Sequence, residues 1–359
     1  LKVLSEQKYH LDIRPTDNIF YYTTCGWMMW NWLFMGLGTG AGIVLFDGNP
    51  LFPNPQRLFD VAEQNQLTFL GVSAKYIDSL RKLNLKPKET HKLRQLRTIA
   101  STGSPLSPEG FTYIYESVSP NIHLASISGG TDICGCFMLG LPNLPVYAGQ
   151  IQGAALGLDV QILSEAGQVA DIGVKGELVC RNTFPSVPLY FWDDADKKKF
   201  QSAYFARFAD VWTHGDYVEK TTEGGYIMHG RSDATLNAGG VRIGTAEIYR
   251  ITEEFAEIVE SLAIAQNWEG DTRVILFVKL SDGVLLSENL INQIKSALKQ
   301  KASPRHVPAL IMQAPDFPRT KSNKLVEIAV ANAINKVAIT NLGALANPES
   351  LDWFTNLNL

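Results

Sequence analysis

The stretch Val211–Arg250 (VWTHGDYVEKTTEGGYIMHGRSDATLNAGGVRIGTAEIYR) sets the acids Asp216 and Asp233, the arginines Arg231 and Arg242 and repeated glycines among short apolar runs. That mixture suits a nucleotide held at a hinge between two domains. Two further stretches place glycine beside small hydroxyl residues just after an apolar run: Thr102-Gly103-Ser104-Pro105 and Gly129-Gly130-Thr131-Asp132. Loops without Cβ bulk let backbone amides approach a ring or a phosphate closely. Ordinary tight turns are the competing reading for each loop taken alone.

The elements that must position these residues alternate between apolar, strand-like runs and amphipathic, helix-like ones, which indicates an α/β fold. Strands are expected at 41–46, 67–72, 96–101 and 122–128, and helices at 55–64, 74–83 and from Ser107 onward. In the last of these Ser107 serves as N-cap and Pro108 takes the first helical position. Both glycine loops then fall after a strand, where open α/β sheets bind ligands. Residues 154–218 read as a small β subdomain, with strands at 158–163 and 176–181 and a helix around 193–200. Beyond Arg231 a separate pattern begins, with helices at 245–254, 287–301 and 325–337 and strands at 258–265, 273–280 and 309–313. The expected domains are 1–230 and 231–359, the second a small α+β unit.

Composition narrows the class. At 359 residues, 45% hydrophobic and 10% aromatic, the chain can bury a large core, and two domains are plausible. A net charge of −4 gives no support to nucleic-acid binding. No apolar run approaches the roughly 20 residues of a membrane span, because Gly26 to Phe46 is broken by Asn31 and glycines; no membrane partner and a cytoplasmic location are expected. Cys25, Cys134, Cys136 and Cys180 read as reduced, buried thiols rather than as metal ligands. The chain opens on Leu1 with an amphipathic stretch already under way (Leu1, Leu4, Leu11, Ile13), as a piece of a longer protein would.

Three ordered motifs resemble the adenylate-forming superfamily, which includes acyl-CoA synthetases, luciferase-type enzymes and peptide-synthetase adenylation domains. They are Thr213-His-Gly-Asp216; Gly230-Arg231-Ser-Asp233 followed by Gly239-Gly240-Val-Arg242; and Pro318-Arg-Thr-Lys-Ser-Asn-Lys324. Three motifs in order are far more specific than any one of them. The stretches Tyr21–Asn31, Ser126–Ile133 and Leu345–Leu351 resemble the branch that activates acetoacetate. The resemblance runs from end to end of this chain and covers roughly the C-terminal half to three-fifths of a full-length family member.

The resemblance implies a fold in which the first part of the chain belongs to a large AMP-binding domain and the second is a small mobile domain. It implies ATP, Mg²⁺ and coenzyme A as cofactors and acetoacetate as the acid. Lys324 becomes the lysine that bridges carboxylate and phosphate during adenylation, a role that suits a point charge on a flexible stem. Asp216 accepts hydrogen bonds from the ribose hydroxyls, Arg231 lies near ribose or phosphate, and Arg242 lies near the phosphates. An Asp216–Arg231 structural ion pair is the alternative for those two. Asp233 takes the hinge position. Gly103, Ser104 and Pro105 meet the adenine ring through backbone, Gly130 and Thr131 adjoin the phosphate, and Asp132 helps hold Mg²⁺. Trp27, Trp30 and Gly129 line the acyl pocket, where glycines leave room for an acid longer than acetate; for the tryptophans core packing competes. Asn323 stands where the family usually has Gly and tolerates a left-handed backbone. His214, inside the Asp216 motif, reads as packing. Lys295, Lys299, Lys301 and Arg305 either face the phosphates of coenzyme A or form a solvated helix face.

Upstream of Tyr21 the chain shows nothing like the family's Ser/Thr/Gly-rich phosphate loop ending in Pro-Lys. The expectation is therefore an acid–thiol ligase whose chain is incomplete and which would associate with a missing N-terminal half. The alternatives are a non-catalytic remnant that binds nucleotide or a partner, and a synthetase for another short-chain acid.

Overall fold

The parallel strands form because their apolar runs are buried on both faces, which leaves little room for polar alternation. The computed structural model describes residues 1–359 apart from 239–240, 269–270, 322 and 340–341, and apart from the side chains of 237, 238, 241 and 271. Gly239, Gly240 and Ser322 of the motifs above thus lie outside the described residues. By internal contacts the chain divides into Leu1–Met228 and His229–Leu359.

In the first unit, β1 (Asn18–Tyr21), β2 (Gly42–Ile43), β3 (Phe69–Ser73), β4 (Thr98–Thr102) and β5 (His123–Ser126) make a parallel sheet in the order β2-β1-β3-β4-β5. Side chains alternate across it. Phe20, Leu70, Val72, Ile99 and Leu124 pack against Leu58 and Phe59 of helix Arg57–Gln64 and Ile77 and Leu80 of helix Ala74–Lys82. Ile19, Tyr21, Phe69, Ala100 and Ala125 meet Met29, Trp32 and Leu33 of helix Met28–Met35 on the other face. Ser107 caps helix Pro108–Tyr113, its hydroxyl accepting from the Gly110 amide at 3.1 Å with Pro108 at the first position. Ser73 does the same for Ala74–Lys82 through Tyr76 N at 3.2 Å.

The strand expected at 41–46 shrinks to β2. After Val44 N donates to Ile19 O at 2.9 Å, Leu45 turns out to solvent.

The rest of the unit is antiparallel. β6 (Ser128–Gly130), β7 (Gly135–Leu139) and β8 (Gly153–Ala154) form one sheet. β9 (Val160–Leu163), β10 (Gly176–Cys180), β11 (Trp212–Lys220) and β12 (Tyr226–Arg231, of which residues 226–228 belong to this unit) form another, ordered β12-β11-β10-β9. The helix expected around 193–200 instead spans Lys198–Tyr204. Asp193 and Lys197 sit at φ +52° and +57°, so the helix cannot start before Lys198. The buried Asp194 carboxylate accepts from Lys199 N (2.8 Å) and Phe200 N (2.9 Å) and fixes that start.

In the second unit, β13 (Leu236–Ala238) and β14 (Val241–Ile243) pair antiparallel. β15 (Ile258–Trp268) runs antiparallel to β16 (Asp271–Leu280), which runs parallel to β17 (Leu310–Gln313). One face of this sheet packs Ile248 and Ile251 of helix Thr245–Thr252 and Ile294 and Leu298 of helix Glu288–Lys301. The other packs Val330 of helix Glu327–Ile334 and Phe354 of helix Ser350–Thr355. The helix expected over 325–337 is shorter at both ends. Val326 is not helical (φ −122°, ψ 76°), and Lys336 takes φ +56°.

The architecture is the expected mixed α/β one. Among the described residues no helix is long and apolar enough to cross a membrane.

Candidate nucleotide and acyl site

In the first unit one candidate loop follows the carboxyl end of β4 and another follows β6. After β4, Thr102 donates its hydroxyl to Ile127 O at 3.0 Å and Gly103 takes φ +93°, a conformation L side chains rarely adopt. Gly103, Ser104 and Pro105 are exposed, and the nearest atom to a Cβ built on Gly103 is Ser73 Cβ at 4.0 Å. A planar ring could therefore lie against this backbone.

Gly129 and Gly130 lie on β6, and each is glycine for a local reason. A Cβ on Gly129 would stand 2.0 Å from Gly135 O and 2.5 Å from Cys136 Cα, with which Gly129 is in register. On Gly130 it would stand 2.5 Å from Cε1 of His214. The close approach of β7 thus requires glycine at 129 whatever the size of the acid. Thr131 and Asp132 follow in an exposed turn closed by Cys134 N to Thr131 O at 3.0 Å. The Tyr204 hydroxyl donates to Asp132 Oδ2.

Asp216 sits in a bulge of β11. Between the pairs Glu177–Tyr217 and Val179–Thr213, the residues His214, Gly215 and Asp216 face Leu178 alone. Gly215 takes φ +81°, and its amide donates to Glu177 Oε1 at 2.9 Å. Bulges of this kind re-aim a side chain. Asp216 is buried, with Oδ2 3.8 Å from His214 Nε2. His214 is packed as expected, edge-on to Phe137 at 4.6 Å, and also accepts from Trp212 Nε1 at 3.4 Å.

Trp27 stands at the N-cap position of helix Met28–Met35 without a side-chain capping hydrogen bond and meets Tyr21 edge-on at 6.2 Å; Trp27 and Trp30 are both half-buried. In this segment the buried indole is that of Trp32, which stacks on Phe69 at 5.3 Å and donates Nε1 to Glu6 Oε2 at 3.3 Å.

The N-terminal stretch, read as amphipathic on Leu1, Leu4, Leu11 and Ile13, buries Leu11 and Ile13, leaves Leu1 exposed, and also buries charge. Lys2 Nζ reaches Glu6 Oε1 (2.6 Å) and Cys136 O (2.8 Å), and Glu6 accepts from Cys136 N (2.7 Å). Burial pushes the Glu6 carboxyl up, against the pull of Lys2. In sequence a Lys–Glu pair four apart reads as a solvated helix pair, so this contact gave no signal. All four cysteines are free, and Cys25 is exposed rather than buried.

In the second unit Arg231 and Asp233 pair at 3.5 Å, each about half exposed at 49% and 48%. Arg242 is half-buried on β14, opposite Asn237. Lys324 lies on a tight turn. Thr320 N donates to Lys324 O at 2.9 Å, Asn323 N to Thr320 O at 2.8 Å, and Asn323 takes φ +64°. The tail holds this turn: Ala346 N donates to Arg319 O at 2.8 Å, and Asn347 Oδ1 accepts from Arg319 N at 2.8 Å. Of the basic group, Lys299, Lys301 and Arg305 are exposed, Lys295 is half-buried, and Lys301 pairs with Glu254.

Among the described residues no three His, Cys, Asp or Glu side chains gather as a metal cage. One exposed carboxylate, Asp132, fits a hard cation that takes its other ligands from phosphate and water.

The fold is that of an adenylate-forming enzyme. Residues 2–187 match the family described as AMP-binding enzyme, and the chain belongs to that family. It is 53% identical over 357 residues to acetoacetyl-coenzyme A synthetase of Rhizobium meliloti (strain 1021), covering 99% of this chain and 55% of that protein. It is 46% identical to acetoacetyl-CoA synthetase of Xenopus tropicalis, covering 99% of this chain and 53% of that one. The solved acetoacetyl-CoA synthetase from Streptomyces lividans superposes with a TM-score of 0.92 at 38% identity, over 98% of this chain and 55% of that one. The chain spans about half the length of the curated relatives it matches.

Proposed function

We propose that the protein serves an ATP-dependent acid–thiol ligase reaction that forms acetoacetyl-CoA from acetoacetate and coenzyme A and releases AMP and pyrophosphate. The observation that carries this reading is the bulge that sets Asp216 on β11 beside His214 and Gly130, next to the Thr131–Asp132 turn, in a chain so similar to relatives of that name. A carboxylate oxygen of the acid attacks the α-phosphorus and pyrophosphate leaves; the thiol sulfur then attacks the acyl carbon, loses its proton, and AMP leaves. Both steps need charge stabilisation and positioning more than proton transfer.

Asp216 receives the ribose hydroxyls, the backbone of Gly103, Ser104 and Pro105 receives adenine, and Gly130 and Thr131 adjoin the α-phosphate. Arg231 meets the ribose or a phosphate, Arg242 lies near the phosphates, and Lys324 bridges carboxylate and phosphate in the first step. Trp27, Trp30 and Gly129 border the acyl group. Magnesium, when bound, neutralises phosphate charge, and Asp132 is the residue that would hold it. Residues 1–230 form the proposed AMP-binding part and 231–359 a mobile part turning at Asp233. The cytoplasm is the proposed location, and an upstream half carrying the phosphate loop is the proposed partner.

Pyrophosphate release from ATP tests the reading, with acetoacetate, acetate, 3-hydroxybutyrate and butyrate compared. The chain is assayed alone and joined to the upstream segment of a relative. Weak release by the chain alone and acetoacetate-dependent release by the joined protein are expected. Full turnover by the chain alone would remove the need for an upstream half, and a joined protein indifferent to the acid would sink the substrate assignment.

A further inference from the structure

The acids proposed for the cation and for the ribose, Asp132 in the turn after β6 and Asp216 on β11, come from different elements of the first unit, yet a continuous set of side chains links them. Tyr204 ends helix Lys198–Tyr204, and its hydroxyl donates to Asp132 Oδ2. Its ring lies almost parallel to Trp212, with centroids 3.7 Å apart and planes 14° apart. Trp212 is buried and donates Nε1 to His214 Nδ1 at 3.4 Å. That bond selects the tautomer with the proton on Nε2, the nitrogen 3.8 Å from Asp216 Oδ2. The imidazole fits because Gly130 has no side chain. Phe200, 5.9 Å from Tyr204, and the Asp194 cap hold the helix that presents the phenol.

We propose that Tyr204 is a positioning residue. Its hydroxyl fixes one oxygen of Asp132 so that the other faces the cation, and its stack on Trp212 sets Asp132 at a defined distance from Asp216. Asp132 is exposed on a turn and makes no other hydrogen bond among the described residues, so without this donor its carboxylate would sample several rotamers. Partners behind a ligating carboxylate fix its orientation, and their loss typically costs about 10–100-fold in metal affinity. The aromatic stack does a second job. It lets a helix with no buried residue of its own hold station over β11.

The inference rests on the reading that Asp132 holds the cation, and the experiment separates the two. Mn²⁺ affinity is measured by electron paramagnetic resonance on the full chain with ATP bound, and AMP affinity is measured separately without metal. Tyr204→Phe keeps the ring and its stack and removes the hydroxyl. It is expected to weaken Mn²⁺ binding about 10–100-fold while leaving metal-free AMP binding and the thermal midpoint unchanged. Asp132→Asn is expected to weaken Mn²⁺ at least as much. Equal Mn²⁺ affinity in Tyr204→Phe and the parent overturns the inference, as does parallel loss of AMP and Mn²⁺ binding, which marks a merely structural role. A parent chain that binds AMP but shows no ATP-dependent Mn²⁺ affinity also overturns it, while leaving the nucleotide reading standing. A parent that binds neither overturns both.

Discussion

Thr320 and Lys324 hold each other at two points: the Thr320 amide donates to the Lys324 carbonyl at 2.9 Å, and the Lys324 amide donates to the Thr320 hydroxyl at 3.1 Å. The lysine therefore rides on a closed turn rather than a loose loop, and its side chain is exposed. In the protein joined to an upstream segment, Lys324→Ala is expected to lower acetoacetate-dependent pyrophosphate exchange by about 10²–10³-fold, the scale of losing one preorganised charge stabiliser. Thioester formation from preformed acyl-adenylate should be spared. Equal loss in both half-reactions would contradict the assigned role.

Asn323 makes that turn possible at φ +64°. Asn323→Gly should leave exchange and stability unchanged, whereas Asn323→Val places a β-branched residue in the left-handed region at a cost of about 1–3 kcal/mol. Thermal midpoints of the two variants check this; an indifferent valine would show that the turn relaxes freely.

Asp216 should govern nucleotide affinity. Asp216→Asn keeps the shape and removes the charge, and is expected to weaken AMP binding about 10–100-fold, the value of charge-assisted hydrogen bonds to a diol. Isothermal titration of the full chain without metal measures it. Unchanged AMP affinity would remove Asp216 from the ribose site.

Local chemistry was legible where one short segment decides it. Ser107-Pro108 announced a capped helix, and Asn323 announced a left-handed turn. Legibility failed where two distant segments decide. Lys2 and Glu6 look like a solvated pair until β7 buries them, and Tyr204 gains meaning only when Asp132 stands beside it. The helix at 198–204 was displaced from its expected place because left-handed residues at 193 and 197 and the Asp194 carboxylate set its start, and periodicity carries neither. The two glycines of β6 were read as space for an acid, whereas the register of β6 against β7 requires the first of them.

That register yields a stability prediction. Gly129→Ala drives a Cβ to 2.0 Å from a backbone oxygen, which only main-chain movement can relieve, at a cost of about 1–3 kcal/mol or more. Gly130→Ala meets the His214 ring at 2.5 Å, which a smaller residue at 214 would relieve. A double-mutant cycle with His214→Ala should therefore show favourable coupling for Gly130→Ala and none for Gly129→Ala. Denaturant midpoints measure both, and coupling at Gly129 would refute the register argument.

His123 makes stability depend on pH. Its Nε2 lies 2.7 Å from Gln152 Oε1, and its buried Nδ1 has no hydrogen-bond partner among the described residues. Burial holds its pKa below the ordinary 6.5, with the Gln152 hydrogen bond and then Asp12 pulling the other way; His10 is lowered too, chiefly by burial. Above 6.5 both rings are neutral folded and unfolded, so the stability is fully present. As pH falls below that value the unfolded chain takes up protons that the folded chain resists, and stability is lost until the folded pKa is reached. Protonating Nδ1 would bury an N–H without an acceptor, worth about 1–3 kcal/mol. Thermal midpoints from about pH 8 to about pH 5 should fall in the acid half, and His123→Gln, which keeps a donor for Gln152 but does not titrate, should flatten the fall. An equally steep fall in His123→Gln would assign the dependence to other groups.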